Sequence, residues 1–126
     1  MNDYFKTYTE SKPEVVVDYP FGPDSRVCKI HNKLFALFRM NKEGIACVNL
    51  KCDPEEAQAL RDVYEGVTAG YHMNKKHWNT VLLDNSVPQG EVERMIDHSY
   101  GLVVKGLTQD LRQGLEARYG EAEIYK

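Results

Sequence analysis

With 126 residues, 42% of them hydrophobic and 28% charged, the chain is too apolar for a disordered polymer and has the size of one domain. A chain of this length buries roughly two-thirds of its unfolded surface, so folding needs neither disulfides nor a structural metal. A net charge of −3 excludes a strongly basic protein held to duplex nucleic acid by its overall charge, and leaves only a local basic patch for that role.

The opening MNDYFKTYTESKPE has no basic segment leading into an apolar run, so no secretory signal is expected. No stretch reaches the apolar length of a membrane span. Three cysteines without close pairing suit reduced thiols, and the expected location is cytoplasmic.

In chain order, Asn2 or Asp3 caps a short helix with Tyr4, Phe5 and Tyr8 on its buried side, limited by Pro13. Pro20, Gly22 and Pro23 mark a loop. Residues 26–31 and 34–40 read as two strands joined by a hairpin at Asn32-Lys33. The second is apolar on both faces, which places it centrally. A third strand spans 45–52. Asp53, Pro54 and Glu56 form a capping box for a helix whose inner stripe is Ala57, Leu60, Val63 and Tyr64, ended by Gly66. Residues 67–71 are extended, and a strand runs from 80 to 83. Ser86 with Gln89 opens a long helix with one face made by Val92, Met95, Ile96, Ser99, Tyr100, Val103 and Leu107. Thr108 caps a last helix carrying Leu111, Leu115 and Tyr119. The order predicts an α+β fold: one domain over 1–126, with helices packed on a mostly antiparallel sheet.

Four segments carry a family resemblance: DYPFG at 18–22, KLFALF at 33–38, YHMNKKHWNTV at 71–81 and IDHSYGLVVKGL at 96–107. In this order they resemble the MmcQ/YjbR-like family. The resemblance implies a compact α+β domain akin to the type III secretion chaperone fold, found in small bacterial cytoplasmic proteins. It also implies a DNA-binding role, with no established enzymatic activity.

Metal chemistry finds little support in the spacing. His72 and His77 are five residues apart, not the four that align two ligands on one helix face. Cys47 and Cys52 lack a second pair at zinc-finger spacing, and Cys28 and Cys47 read as small buried hydrophobes. No metal site and no cofactor is expected. Asp97-His98-Ser99 has the residue types of a hydrolase triad, but consecutive helical residues diverge by about 100° and cannot relay a proton. Cys52, just before the N-terminus of the Asp53 helix, is the better nucleophile candidate, with no histidine demonstrably near it. The chain is therefore expected not to be an enzyme.

The segment 71–83, YHMNKKHWNTVLL, has two readings. In one, Trp78 is a buried corner, Asn74 caps a turn, and the lysines are a solvated surface. In the other, Lys75, Lys76, His72 and His77 meet phosphates, with Asn74 as a neutral donor and Arg26 or Arg39 added from the hairpin. The candidate partners are DNA, bound weakly and salt-dependently, or a protein bound by a chaperone-like domain. No membrane partner is expected.

Overall fold

The computed structural model describes residues 2–70 and 73–126, with Asn2 through its backbone alone. Six strands form one antiparallel sheet in the order β1-β2-β3-β4-β6-β5. They are β1 (Val15–Asp18), β2 (Arg26–Ile30), β3 (Lys33–Met40), β4 (Ala46–Lys51), β5 (Val67–Ala69) and β6 (Trp78–Leu82). The helices are α1 (Asn2–Glu10), α2 (Pro54–Val63), α3 (Gln89–Lys105), α4 (Gln109–Tyr119) and the short α5 (Glu121–Ile124). The α+β class expected from the element order is the observed one.

The β2–β3 hairpin turns at His31-Asn32, one residue earlier than the sequence reading placed it. Both residues have positive φ, 45° and 69°. Two positive φ values are what a two-residue turn needs to match the twist of its strands, and asparagine tolerates that conformation well. Ile30 then pairs with Lys33, and the register slips between Cys28 and Lys29. Phe35 is the extra residue opposite that slip and points inward, edge-on to Tyr100 of α3 at 5.3 Å. This bulge is why β3 reads as apolar on both faces.

Strand alternation gives the sheet two distinct faces. On one face Cys28, Phe38, Val48, Leu50 and Val81 join the core with Val92, Ile96, Tyr100 and Val104 of α3. α3 crosses β2, β3 and β4, while α1 meets β1 and α2 meets β5, all on this side. The stripe expected for α3 is buried throughout, from Val92 to Leu107. The opposite face carries Lys29, Leu37, Arg39, Asn49, Lys51, Trp78 and Thr80, and among the described residues no helix packs on it.

Several local expectations change. β1 was not foreseen. Asn2 and Asp3 lie inside α1. Asp53 precedes α2 as expected but makes no side-chain cap bond, and the Glu56 side chain turns to Arg94 instead of closing the box. Val63 is 70% exposed, so the inner stripe of α2 keeps Ala57 and Leu60 with a partly buried Tyr64. Ser86 donates to Asp84 rather than capping α3. α2 ends before Gly66, whose role is close approach: a Cβ there would stand 2.3 Å from Ser86 Oγ.

Candidate nucleic-acid interface

The turn at 74–77 is built by Asn74. Its side-chain oxygen accepts from the Lys76 amide at 2.9 Å and its carbonyl accepts from the His77 amide at 3.1 Å. This is a side-chain-closed turn, and β6 begins immediately afterwards at Trp78. Asn74, Lys75, Lys76 and His77 are all exposed. Neither lysine ammonium has an acidic partner among the described residues. His72 and the neighbouring Tyr71 lie outside the described residues.

Two cations that sequence reasoning missed stand beside the turn. Lys51 pairs with Trp78 across β4 and β6, which puts it on the bare face next to the lysines. Arg61, in the last turn of α2, donates to the Lys75 carbonyl at 2.6 Å and to Asn79 Oδ1 at 2.8 Å. Arg61 thus holds the turn in place and adds charge behind it. Met73 leads into the turn across the bare face, where its Sδ accepts from Asn49 Nδ2 at 3.4 Å. Asn49 Oδ1 in turn accepts from the Thr80 hydroxyl at 2.8 Å.

Arg26 and Arg39 do not join this cluster. Arg26 faces the helices, where it pairs with Glu10 and donates to the Tyr19 hydroxyl at 2.5 Å. Arg39 is on the bare face but level with Cys47 and Leu82, four residues along β6 from Trp78. That is about 13 Å at the usual strand rise.

Trp78 is half-buried rather than a buried corner. Its backbone is tightly fitted: a Cβ on Gly70 would come within 2.7 Å of Trp78 Cβ. Because the ring keeps solvent contact, Trp78→Ala is expected to cost less than the roughly 3–5 kcal/mol of a fully buried aromatic.

Charge is segregated across the molecule. Among the described residues the six strands carry five basic side chains and one acidic, Asp18, while the five helices carry twelve acidic and six basic. Three of the five strand cations, Lys29, Arg39 and Lys51, lie on the bare face, where Lys29 pairs with Asp18, and Arg26 faces the helices; the net charge of −3 therefore sits mainly in the helical layer. The Debye length at physiological salt is about 8 Å, so the layer of helices is largely screened from a ligand on the far side of the sheet.

The triad residue types at 97–99 diverge as their helical spacing requires. Asp97 accepts from the Tyr8 hydroxyl at 2.7 Å and pairs with Lys12. His98 faces Glu56. Ser99 donates to the Phe35 carbonyl at 2.6 Å and accepts from the Lys51 amide at 2.9 Å. Its hydroxyl bridges β3 and β4 beyond their last ladder pair; the carbonyl belongs to the sheet, not to the preceding helical turn. Ser99→Ala leaves that amide and carbonyl without partners and is expected to lower stability by about 1–3 kcal/mol in urea denaturation.

The fold and this surface define a small α+β domain with helices on one side of an antiparallel sheet and a basic turn leading into β6. The chain belongs to the YjbR family, whose model matches residues 10–102. It is 37% identical over 97 residues to the uncharacterized protein YbdF of Escherichia coli O157:H7, covering 77% of this chain and 79% of that one. It is 36% identical over 85 residues to the uncharacterized protein YjbR of Escherichia coli K12, covering 68% and 71%. The crystal structure of Deinococcus radiodurans protein DR2400 superposes with a TM-score of 0.82 at 31% identity, over 91% of this chain and 87% of that one. A crystal structure of a Pseudomonas syringae protein gives a TM-score of 0.72 at 30% identity, over 81% and 97%. Among the described residues no helix is long and apolar enough to cross a membrane.

Proposed function

We propose that this chain is a non-enzymatic cytoplasmic domain that binds DNA weakly through phosphate contacts. Lys75, Lys76 and Lys51 carry the charge, and exposed His77 and Asn74 add neutral donors. The observation that carries this reading is the placing of charge: Lys51 stands on the sheet face beside Trp78, next to a turn whose two lysines have no acidic partner among the described residues. Arg and Lys charges with neutral side-chain donors are the usual phosphate contacts, and they carry no base sequence. With about three phosphates neutralised, the slope of log K against log salt is expected near −3. Non-specific affinities of this kind run about 10⁻⁴–10⁻⁶ M at physiological salt.

Amide chemical-shift mapping with a short duplex at low salt tests the surface. Shifts are expected at Lys51 and Asn74 to Trp78, with α3 and α4 silent. Shifts confined to the helices, or none, would overturn the proposal.

A protein-binding role is the second reading. It is favoured by exposed Tyr19, Phe21 at 69% and Met40 at 57%. Tyr19 and Met40 line a cleft of about 120 Å³ near Arg26 and Arg39.

A further inference from the structure

Cys52 directly follows β4, Glu56 lies in the first turn of α2, and His98 is in the middle of α3. The fold gathers them so that Sγ, a carboxylate oxygen and an imidazole nitrogen all lie within 4.8 Å of one another. His98 Nε2 is 3.6 Å from Glu56 Oε2. It is shielded from solvent and has no hydrogen-bond partner. The carboxylate is already oriented, because Oε1 accepts from Arg94 Nη1 at 2.5 Å and leaves Oε2 for the cluster. Arg94 is itself balanced by Glu91 at 3.3 Å. The three residues line a cavity of about 10 Å³ with Leu50, Leu60 and Met95, close to the room one water needs.

We propose that Cys52, Glu56 and His98 form a binding site for a thiophilic divalent transition metal of the zinc class. Sulfur, nitrogen and oxygen donors suit that class, and three protein ligands with one water complete a tetrahedron. Tetrahedral donors around zinc stand about 3.3–3.7 Å apart, so small rotations of Glu56 and His98 close the present cluster. The fixed Glu56–Arg94 contact is the outer-shell support such sites use.

Cys52 is a buried free thiol. Binding replaces the S–H bond with a metal–sulfur bond and releases one proton to solvent, without change of oxidation state. Sequence spacing gives only half of this site. Cys52 and Glu56 are four apart, but His98 arrives through the packing of α3 against α2.

Cobalt(II) is the probe. Titrated into the full chain, it is expected to give a thiolate-to-cobalt charge-transfer band saturating at one equivalent. Calorimetry in buffers of different ionisation enthalpy is expected to show one proton released. Cys52→Ser abolishes the band, while Cys28→Ser and Cys47→Ser keep it. Glu56→Gln and His98→Gln change half-exposed side chains, so the fold is retained. Each is expected to weaken cobalt binding beyond the roughly 10–100-fold loss typical of outer-shell changes. No band at large cobalt excess, a band that survives Cys52→Ser, or unchanged affinity in both Gln variants would overturn the proposal.

Discussion

Asp97→Ala is expected to cost about 3–5 kcal/mol, because it strands a buried charge. Lys12 is only 6% exposed, and its ammonium sits 5.4 Å from the Tyr8 ring centre and 5.3 Å from that of Tyr100. Asp97 is its ion-pair partner and also accepts the Tyr8 hydroxyl. Burial, then the bond to Asp97, raises the Tyr8 pKa, so that hydroxyl remains a donor through the neutral range. Without Asp97 the ring faces remain, but aromatic quadrupoles supply only about 0.5–2 kcal/mol. Replacing both partners, as Lys12→Met with Asp97→Leu, is expected to recover most of the loss, since an apolar pair has no desolvation penalty. Guanidinium denaturation with unchanged slope checks both variants. A loss below about 1 kcal/mol for the single change would contradict this account of the α1–α3 contact.

Phe35→Ala is expected to lower stability by a similar amount, about 3–5 kcal/mol. Phe35 has no exposed surface and meets Tyr100 edge-on at an interplanar angle of 83°. Tyr100 passes the contact on by donating to the Pro13 carbonyl at 2.7 Å, which ties the segment before β1 to α3. Removing the ring opens a cavity where sheet, α3 and this segment meet. Phe35→Leu fills part of that space and is expected to cost well under half as much. The same denaturation series separates the two.

The long elements were legible because one period governed each of them. Val92 to Leu107 on α3 repeat at helical spacing, and every one of those residues is buried. Short elements and caps depend on partners that sequence does not name. β1 is four residues between prolines, and becomes a strand only because β2 offers it a ladder. Asp53–Glu56 and Ser86–Gln89 match capping boxes, but Arg94 and Asp84 offered Glu56 and Ser86 better bonds. At the candidate site, Asn74, Lys75, Lys76 and His77 were visible as a local cluster. Lys51 was not, since its place beside Trp78 follows from the β4–β6 register. Arg26 was misplaced for the matching reason: alternation along β2 turns it toward Glu10 and the helices. His98 was set aside with a triad it does not form, because its approach to Cys52 is made by helix packing alone.

Charge reversal at the turn tests the central claim most directly. Fluorescence anisotropy of a labelled duplex is measured with the wild type and with Lys75→Glu/Lys76→Glu, at low and then physiological salt. Both side chains are exposed, so circular dichroism and melting temperature are expected to be unchanged. The wild type is expected to bind at low salt and to weaken steeply with added salt, while the double variant shows no binding at either. Equal binding by the folded double variant, or no binding by the wild type even at low salt, would contradict the basic turn as the functional surface.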